Sequence, residues 1–255
     1  MKKTTIIVPI HTFDEEYADM VKKTYDNIKS LNNENLILMY VGPDSVVNEC
    51  SKLLNDNSVI YLVNTNDEYN FVNQVNFAVN NVKTEYFSIL EIDDTYKSNW
   101  FDNLDIYMNE NDASLYLPLN ELLTIDGEFI GYLNEMAWNV GMVEELGIID
   151  IETLKVYMDF NLTGGLFKTS DFIEVGGLKS SLKIASSYEF LMRFTEFGKK
   201  TYVLPKVGYY HMVGRKNSNM MAFKEILTPE EVEWLIKRAR KEYKDKEDSN
   251  LIFEK

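Results

Sequence analysis

Short apolar segments alternate with amphipathic segments over the first part of the chain. The apolar, β-branched segments predict buried strands at residues 5–10, 36–41, 59–63 and 86–92. Between them, hydrophobic residues recur at helical spacing and predict helices at residues 15–31, 45–54 and 71–82. This alternation predicts an α/β fold with a mostly parallel central sheet flanked by helices. Ligands of such sheets bind beyond the carboxyl ends of the strands, where His11, Asp44 and residues 91–94 fall.

The pattern is less regular after residue 100. It predicts a strand at residues 113–117 and a hairpin at 124–130, with Asp126-Gly127 as the turn. A helix is predicted to start near Ser170, capped by that hydroxyl, and to end at Gly176-Gly177. A helix at 187–197 and a short strand at 201–204 follow, whereas residues 134–155 show no clear period.

The end of the chain carries a strong helix start. Thr228 is suited to cap a helix, Pro229 fits its first turn, and Glu231 stands three residues after the cap. The helix is predicted to run to about residue 246 as a C-terminal appendage. It would pack Val232, Leu235 and Ile236 inward.

Composition narrows the class of protein. The 255 residues fit one large domain or a domain with an appendage, and 45% are hydrophobic, which allows a substantial core. A net charge of −15 argues against bulk binding to nucleic acid or an anionic membrane, without excluding a local basic groove. The single cysteine cannot form an internal disulfide, and no apolar run approaches membrane-spanning length. These features predict a soluble, cytoplasmic protein.

The most informative polar segment is Leu90-Glu91-Ile92-Asp93-Asp94, which closes the fourth predicted strand. Carboxylates so close repel one another and are costly to desolvate unless a cation joins them. A divalent metal with oxygen ligands, whose shell is completed by substrate phosphates, explains the cluster economically. The alternatives are a solvated acidic turn, or for Asp94 a cap on a following helix near residues 98–108.

His211 is the second candidate metal ligand. The chain has only two histidines, and neutral imidazole suits Mn²⁺. Arg215 and Lys216 follow Gly214 and could close over a diphosphate. A surface loop with incidental charge is the alternative.

The order of these motifs resembles glycosyltransferase family 2, whose members often read Asn-x-Gly, Ala-x-Gly-Glu-Tyr and Leu-Asp-x-Asp-Asp. The first half follows that register at Asn76, Glu85, Tyr86, Leu90, Asp93 and Asp94. The second half follows the family order at Gly165, Lys168, residues 176–178, residues 189–193, Gly198, Pro205 and residues 210–211. The resemblance covers roughly residues 4–218. Glu91 replaces the first Asp of the acidic motif, and Gly42 stands where the family usually carries an Asp that reads the nucleoside.

The resemblance implies a GT-A fold over residues 1–220, with a nucleotide-binding half at 1–99, an acceptor half at 100–220 and a helical extension at 221–255. It implies transfer of a sugar from a nucleotide-diphosphate sugar, a UDP-sugar first, to a hydroxyl of a glycan, a protein or a modified DNA base. Mn²⁺ or Mg²⁺ would be held by Asp93, Asp94 and His211. The nucleotide sugar would contact Pro9, His11, Thr12, Asp44, Asn76, Glu91, Ile92, Asp93, Arg215 and Lys216.

The catalytic base is where the chain departs most from the family. The usual Glu-Asp pair falls at Ser186-Ser187, and serine cannot serve as a base unaided at neutral pH. Glu189 on the same predicted helix is the first candidate, although an ion pair with Arg193 is an equal alternative. Asp159 or Asp171 could serve instead, or the enzyme could retain configuration and let the leaving phosphate accept the proton.

Two other functions compete with transfer. A catalytically silent GT-A domain that binds a sugar nucleotide or glycan would explain the missing Glu-Asp pair, but it has no need of the acidic cluster. A nucleotidyltransferase would want a glycine-rich phosphate loop near the first strand, and residues 5–14 contain no glycine.

Overall fold

A computed structural model describes residues 2–66, 69–182, 184–215 and 228–242 of the chain. The predicted nucleotide contact Lys216, the predicted domain boundary near 220 and the predicted helix end at 246 lie outside the described residues.

The described strands form one sheet. They are β1 (Thr4–Pro9), β2 (Leu36–Gly42), β3 (Ile60–Val63), β4 (Tyr86–Ile89), β5 (Thr95–Tyr96), β6 (Leu115–Thr124), β7 (Phe129–Leu133), β8 (Ile148–Ile149), β9 (Leu166–Lys168) and β10 (Thr201–Val213). The main path runs β3-β2-β1-β4-β9-β6-β10-β5, with β7 added on β6 and β8 on β10. The longer pairings, β1 with β2 and β4, β2 with β3, and β6 with β10, are parallel, whereas the short strands join antiparallel. By paired residues the sheet is therefore mostly parallel, as predicted.

Helices cover both faces of the sheet. They are α1 (Glu15–Ser30), α2 (Asp44–Leu54), α3 (Phe71–Asn81), α4 (Trp100–Glu110), α5 (Ile151–Val156), α6 (Thr169–Glu174), α7 (Ser186–Glu196) and α8 (Pro229–Glu242), with a 3₁₀ helix at Glu135–Trp138. One layer of the core packs Phe87 on Phe167, with ring centroids 4.9 Å apart. The other layer holds Tyr40, Trp100 and Tyr209, all fully buried.

The first half of the fold follows the sequence pattern closely. All four predicted strands and three predicted helices are present, each within a few residues of its expected bounds. Asp14 caps α1, because its carboxylate accepts a hydrogen bond of 3.0 Å from the backbone N–H of Tyr17. The second-half hairpin is also present as β6 and β7, and Gly127 takes a φ of +81° in its turn.

The second half departs from the pattern at three places. The strand predicted at 201–204 continues as β10 to Val213, through register shifts on both sides of Val207. Pro205 and Gly208 interrupt the apolar pattern there and hide the strand in the sequence. Ser170 does not cap a helix, because α6 begins one residue earlier at Thr169. The unassigned stretch 134–155 contains the 3₁₀ helix, β8 and most of α5.

The C-terminal helix α8 has the predicted start. Glu231 accepts a hydrogen bond of 2.7 Å from the N–H of Thr228, and the Thr228 hydroxyl accepts one of 3.3 Å from the N–H of Glu231. Arg240 anchors the helix by donating to the Tyr188 hydroxyl at 2.9 Å and to the Lys155 carbonyl. Among the described residues, no helix combines the length and apolarity that a membrane span requires.

Candidate active site

The acidic segment, residues 91–94, lies at the carboxyl ends of β1, β4 and β10. The N–H of Leu90 still bonds the carbonyl of Ile7 at 2.9 Å, so the chain leaves the sheet only after that residue. It then turns, with the N–H of Asp94 on the carbonyl of Glu91 at 3.1 Å. The three carboxylates therefore follow the buried strand at the edge where ligands of α/β sheets bind.

Glu91, Asp94 and His211 form the acidic cluster of this site. Each offers one ligand atom, and these atoms lie within 4.8 Å of one another. Asp94 is fully buried; its Oδ2 is 2.8 Å from Nδ1 of His211, and its Oδ1 accepts a hydrogen bond of 2.7 Å from the N–H of Met212. Asp94 therefore joins the turn after β4 to β10, and the alternative of a helix cap is wrong, since Asn99 is the cap residue of α4.

The electrostatics of the cluster reflect carboxylates confined together. Burial raises the pKa of Glu91 to about 7, and the nearby charge of Asp94 adds to the rise. Burial also raises the pKa of Asp94. For His211, burial opposes the charged form, but the charge of Asp94 and its hydrogen bond raise the pKa to about 9. Without a metal, a protonated His211 is thus the internal counter-ion of the cluster.

Two carboxylates and one imidazole at this separation fit a hard or borderline divalent cation such as Mn²⁺ or Mg²⁺. Deprotonation of His211 would free its ring nitrogen for the metal, and the carboxylates would supply the negative charge. Asp93 is not part of this cluster, although the sequence predicts it as the first ligand.

Asp93 is instead paired with Arg215. The Nε of Arg215 donates to Oδ2 of Asp93 at 2.8 Å, and its Nη1 donates to the Tyr17 hydroxyl at 3.3 Å. The same hydroxyl is 3.2 Å from Nε2 of His11. Partial desolvation and the charge of Arg215 lower the pKa of His11. Two predicted nucleotide contacts, His11 and Arg215, are thus brought beside the acidic segment.

Tyr17 and Tyr209 also belong to this site, although the sequence predicts a hydrogen bond of neither hydroxyl group there. Tyr209 is fully buried, and its hydroxyl accepts a hydrogen bond of 3.1 Å from the N–H of Glu91. Tyr17 lies at an apolar position of a predicted helix, whereas Tyr209 lies beyond the predicted end of its strand at residue 204. Only the contacts made by their hydroxyl groups show that they also order the site.

The remaining predicted nucleotide contacts lie at the same sheet edge, but with differing access. Pro9 ends β1, and Thr12 follows it in a half-buried position. Asp44 is exposed at the start of α2. Ile92 is buried in the core, and its carbonyl accepts a hydrogen bond of 3.0 Å from the Thr24 hydroxyl.

Asn76 is used for a different purpose. Its Nδ2 donates to the carbonyl of Leu178 at 2.7 Å, and its Oδ1 accepts from the N–H of the same residue at 2.9 Å. Both ends of the amide are therefore occupied in fixing the segment after α6 to α3. This arrangement speaks for a structural role rather than the predicted contact with the nucleotide sugar.

Glu189 is fully buried and carries a two-pronged ion pair with Arg193. Its Oε1 and Oε2 accept hydrogen bonds of 2.9 and 2.8 Å from Nε and Nη2 of that arginine. The geometry matches the ion-pair alternative, and full burial keeps Glu189 away from an acceptor hydroxyl. Of the other candidate bases, Asp171 is buried with Oδ1 3.4 Å from the ammonium of Lys199, whereas Asp159 is exposed.

Known structures place this architecture among the GT-A-type glycosyltransferase folds, as the sequence predicts. The complex of S. aureus TarS 1-349 with UDP-GlcNAc matches at a TM-score of 0.66 and 14% identity, over 93% of this chain and 65% of that chain. Mannosyltransferase PcManGT from Pyrobaculum calidifontis, in complex with GDP-Man and Mn²⁺, matches at 0.61 and 14%, over 95% of this chain and 61% of that one. No protein-family model and no curated protein sequence matches the chain. The chain thus shares the fold while spanning somewhat less than two thirds of these two chains.

Proposed function

We propose that this chain is a metal-dependent glycosyltransferase that moves a sugar from a nucleotide-diphosphate sugar to a hydroxyl acceptor. The observation that carries the proposal is the acidic cluster of Glu91, Asp94 and His211 at the carboxyl edge of a GT-A-type sheet. Buried carboxylates without a cation are costly, and this fold binds ligands at that edge.

The proposed cation is Mn²⁺ or Mg²⁺, which would neutralise the charge that develops on the departing diphosphate. Glu91, Asp94 and His211 would hold it, and Asp93 would join them once it is freed from Arg215. Arg215 would then be available to donate to diphosphate oxygens, for which its planar guanidinium is suited. Pro9, His11, Thr12 and Asp44 would line the nucleoside side.

A UDP-sugar is the first donor to test, because the TarS structure was solved with UDP-GlcNAc. GDP-mannose belongs in the same panel, since the PcManGT complex contains GDP-Man. Glycans, proteins and modified nucleobases remain proposed acceptors. The acidic balance of the chain disfavours the last of these.

A catalytically silent sugar-nucleotide-binding domain is the second candidate. It is favoured by one observation, namely that Glu189 is locked to Arg193 while Ser186 and Ser187 stand at the family position of the base. A retaining reaction, in which the leaving phosphate accepts the acceptor proton, needs no such base and keeps the enzymatic proposal intact.

The experiment is donor hydrolysis with a panel of nucleotide sugars and Mn²⁺, followed by measurement of released nucleoside diphosphate. An enzyme should release it slowly from one donor, and Asp94→Asn should reduce that release by at least about 100-fold because a buried ligand is lost. Asp102→Asn, the same change at an exposed position of α4, is the matched control and should behave as the unchanged protein. Metal-dependent donor binding without release from any donor would favour the silent domain.

A further inference from the structure

Arg215 is the paired counter-ion of Asp93. Its guanidinium donates to Oδ2 of Asp93 at 2.8 Å, and the side chains of Arg215 and Asp93 are 13% and 14% exposed. Its other side lies over the ring of Tyr17, with the guanidinium carbon 5.4 Å from the ring centroid. The arginine therefore bridges the acidic segment after β4 and the buried face of α1.

Tyr17 is fixed from both sides. It is 2% exposed, and its ring packs edge-on against His11 with centroids 5.6 Å apart. Arg215 can only donate, so the Tyr17 hydroxyl accepts from it at 3.3 Å and directs its own proton to Nε2 of His11 at 3.2 Å. This order requires His11 to be neutral, and the lowered pKa of that residue agrees.

We propose that Tyr17 is a positioning residue that holds Arg215 on Asp93, so that a divalent cation gains Asp93 only by displacing the arginine. The inference rests on the proposed function for its cation and donor. Gly214 is the joint at which the arginine would swing away: its φ is +90°, and among the described residues no neighbouring atom lies within 4 Å of where a Cβ would stand.

The expected effect follows from competition between two counter-ions. If Arg215 is bound to Asp93 in most molecules, only the small fraction without this contact can give Asp93 to the cation. The apparent dissociation constant of the cation is then multiplied by nearly the equilibrium constant of the Arg215–Asp93 contact. The hydrogen bond from the charged guanidinium to the Tyr17 hydroxyl is long, at 3.3 Å, and is therefore at the weak end for a bond with a charged group. Its loss should tighten cation binding roughly two- to tenfold. Damage to the fold would weaken binding instead, so the sign separates positioning from a merely structural role.

The test is a titration of the full chain with Mn²⁺ alone, followed by the electron paramagnetic resonance signal of the free ion. Tyr17→Phe should bind Mn²⁺ about two- to tenfold more tightly than the unchanged protein. Tyr25→Phe is the matched control, because it removes a hydroxyl from the same helix where the partner is Asp56 at 2.8 Å. Its Mn²⁺ affinity should equal that of the unchanged protein.

A second variant tests the arginine without changing the charge. Arg215→Lys keeps one positive charge but loses the planar fork that reaches Asp93 and Tyr17 together, so it should also tighten Mn²⁺ binding. This variant carries the test if Tyr17→Phe does not fold.

The outcomes separate the two proposals. Tighter binding in both variants, with Tyr25→Phe unchanged, supports the positioning role whether or not a donor is ever turned over. Mn²⁺ binding that is unchanged or weaker in the folded variants overturns the role of Tyr17 and leaves the glycosyltransferase proposal standing. Absence of Mn²⁺ binding in every protein, including the unchanged one, overturns the positioning role, and donor hydrolysis then decides the glycosyltransferase proposal separately.

Discussion

Two arginine–carboxylate pairs in the described part of the chain serve opposite purposes. Glu189 and Arg193 lie one turn apart on α7, with side chains 0% and 6% exposed, and Arg193 also donates to the carbonyls of Val175 and Gly177. Asp93 and Arg215 are 122 residues apart, meet at the edge of the sheet, and depend on a residue that follows a glycine. In the first pair each guanidinium nitrogen is bonded inside the core, whereas the second pair is the one whose arginine is proposed to give way to a divalent cation.

The difference teaches how burial decides the use of a charge. A buried pair whose hydrogen bonds are all internal cannot be separated without leaving an uncompensated charge, so it fixes structure. The second pair keeps some exposure, with side chains 13% and 14% exposed, so separating it leaves each charge partly hydrated. Sequence spacing alone does not distinguish the two cases, since both Glu189 and Asp93 lie in segments that resemble motifs of glycosyltransferase family 2.

The largest effect is expected when the buried Glu189–Arg193 ion pair is broken. Arg193→Met should reduce the free energy of unfolding by about 3–5 kcal/mol, because buried Glu189 would lose its two-pronged partner and keep the more distant ammonium of Lys179, at 3.5 Å. Chemical denaturation measures this change. The double variant Glu189→Met/Arg193→Met is the control and should recover most of the loss. A single variant no less stable than the double one would show that the pair is not locked.

The next largest effect is the pH dependence of Mn²⁺ binding at the acidic cluster. Metal ligands must lose their protons, and the pKa is about 9 for His211 and about 7 for Glu91 in the metal-free protein. Between pH 7 and 9 the metal displaces one proton, from His211, so Mn²⁺ affinity should rise about tenfold per pH unit. Below pH 7 it also displaces a proton from Glu91, so the rise should be steeper. Above pH 9 neither group carries a proton, and the affinity should level off.

His211→Asn is the control for that titration. It removes the group whose pKa is about 9 and, with it, the positive charge that lowers the pKa of Glu91. One of the two titrating ligands is then gone, so the steeper rise expected below pH 7 should fall to about tenfold per pH unit, and overall affinity should be lower. A variant that kept the steeper rise below pH 7 would assign the second proton to a group other than His211.

A smaller effect is expected at Asn76, which belongs to the structural side of the comparison. Asn76→Ala should reduce the free energy of unfolding by about 1–3 kcal/mol, because the N–H and carbonyl of Leu178 both lose their partner. Donor binding, measured by calorimetry with UDP-sugars, should be unchanged. Asn80→Ala, at an exposed position of the same helix, is the stability control. Weaker donor binding with unchanged stability would restore the nucleotide contact predicted from sequence.

These comparisons show where sequence reasoning was sufficient. The first half alternates strongly between apolar strands and amphipathic helices, so its elements and the site edge were predictable from periodicity. The acidic segment and His211 were predictable as a group, because few residue types bind metal and their positions follow strand ends. The length of β10 was not, since Pro205 and Gly208 break its pattern while the sheet continues through bulges.

The partners of individual charges were beyond the sequence. Whether Asp93 faces a metal or Arg215 depends on which side of a two-residue turn each carboxylate takes, and no local pattern encodes that choice. The same holds for Tyr17, which a helical pattern can only classify as buried. In both cases a contact between distant segments decides the role.

The smallest expected effect is at Gly214, the joint beside the exchangeable pair. Gly214→Ala should reduce the free energy of unfolding by only about 1 kcal/mol, because the added Cβ meets none of the described atoms and the cost is confined to the φ of +90°. Gly177→Ala is the contrasting variant: its φ is +68° and its Cβ would lie 2.5 Å from Oδ1 of Asn76, so its loss should be clearly larger. Both losses are measured by chemical denaturation. If the two variants lost equal free energy of unfolding, the segment after β10 would be as rigidly packed as the segment after α6. Arg215 could then not leave Asp93 for a cation.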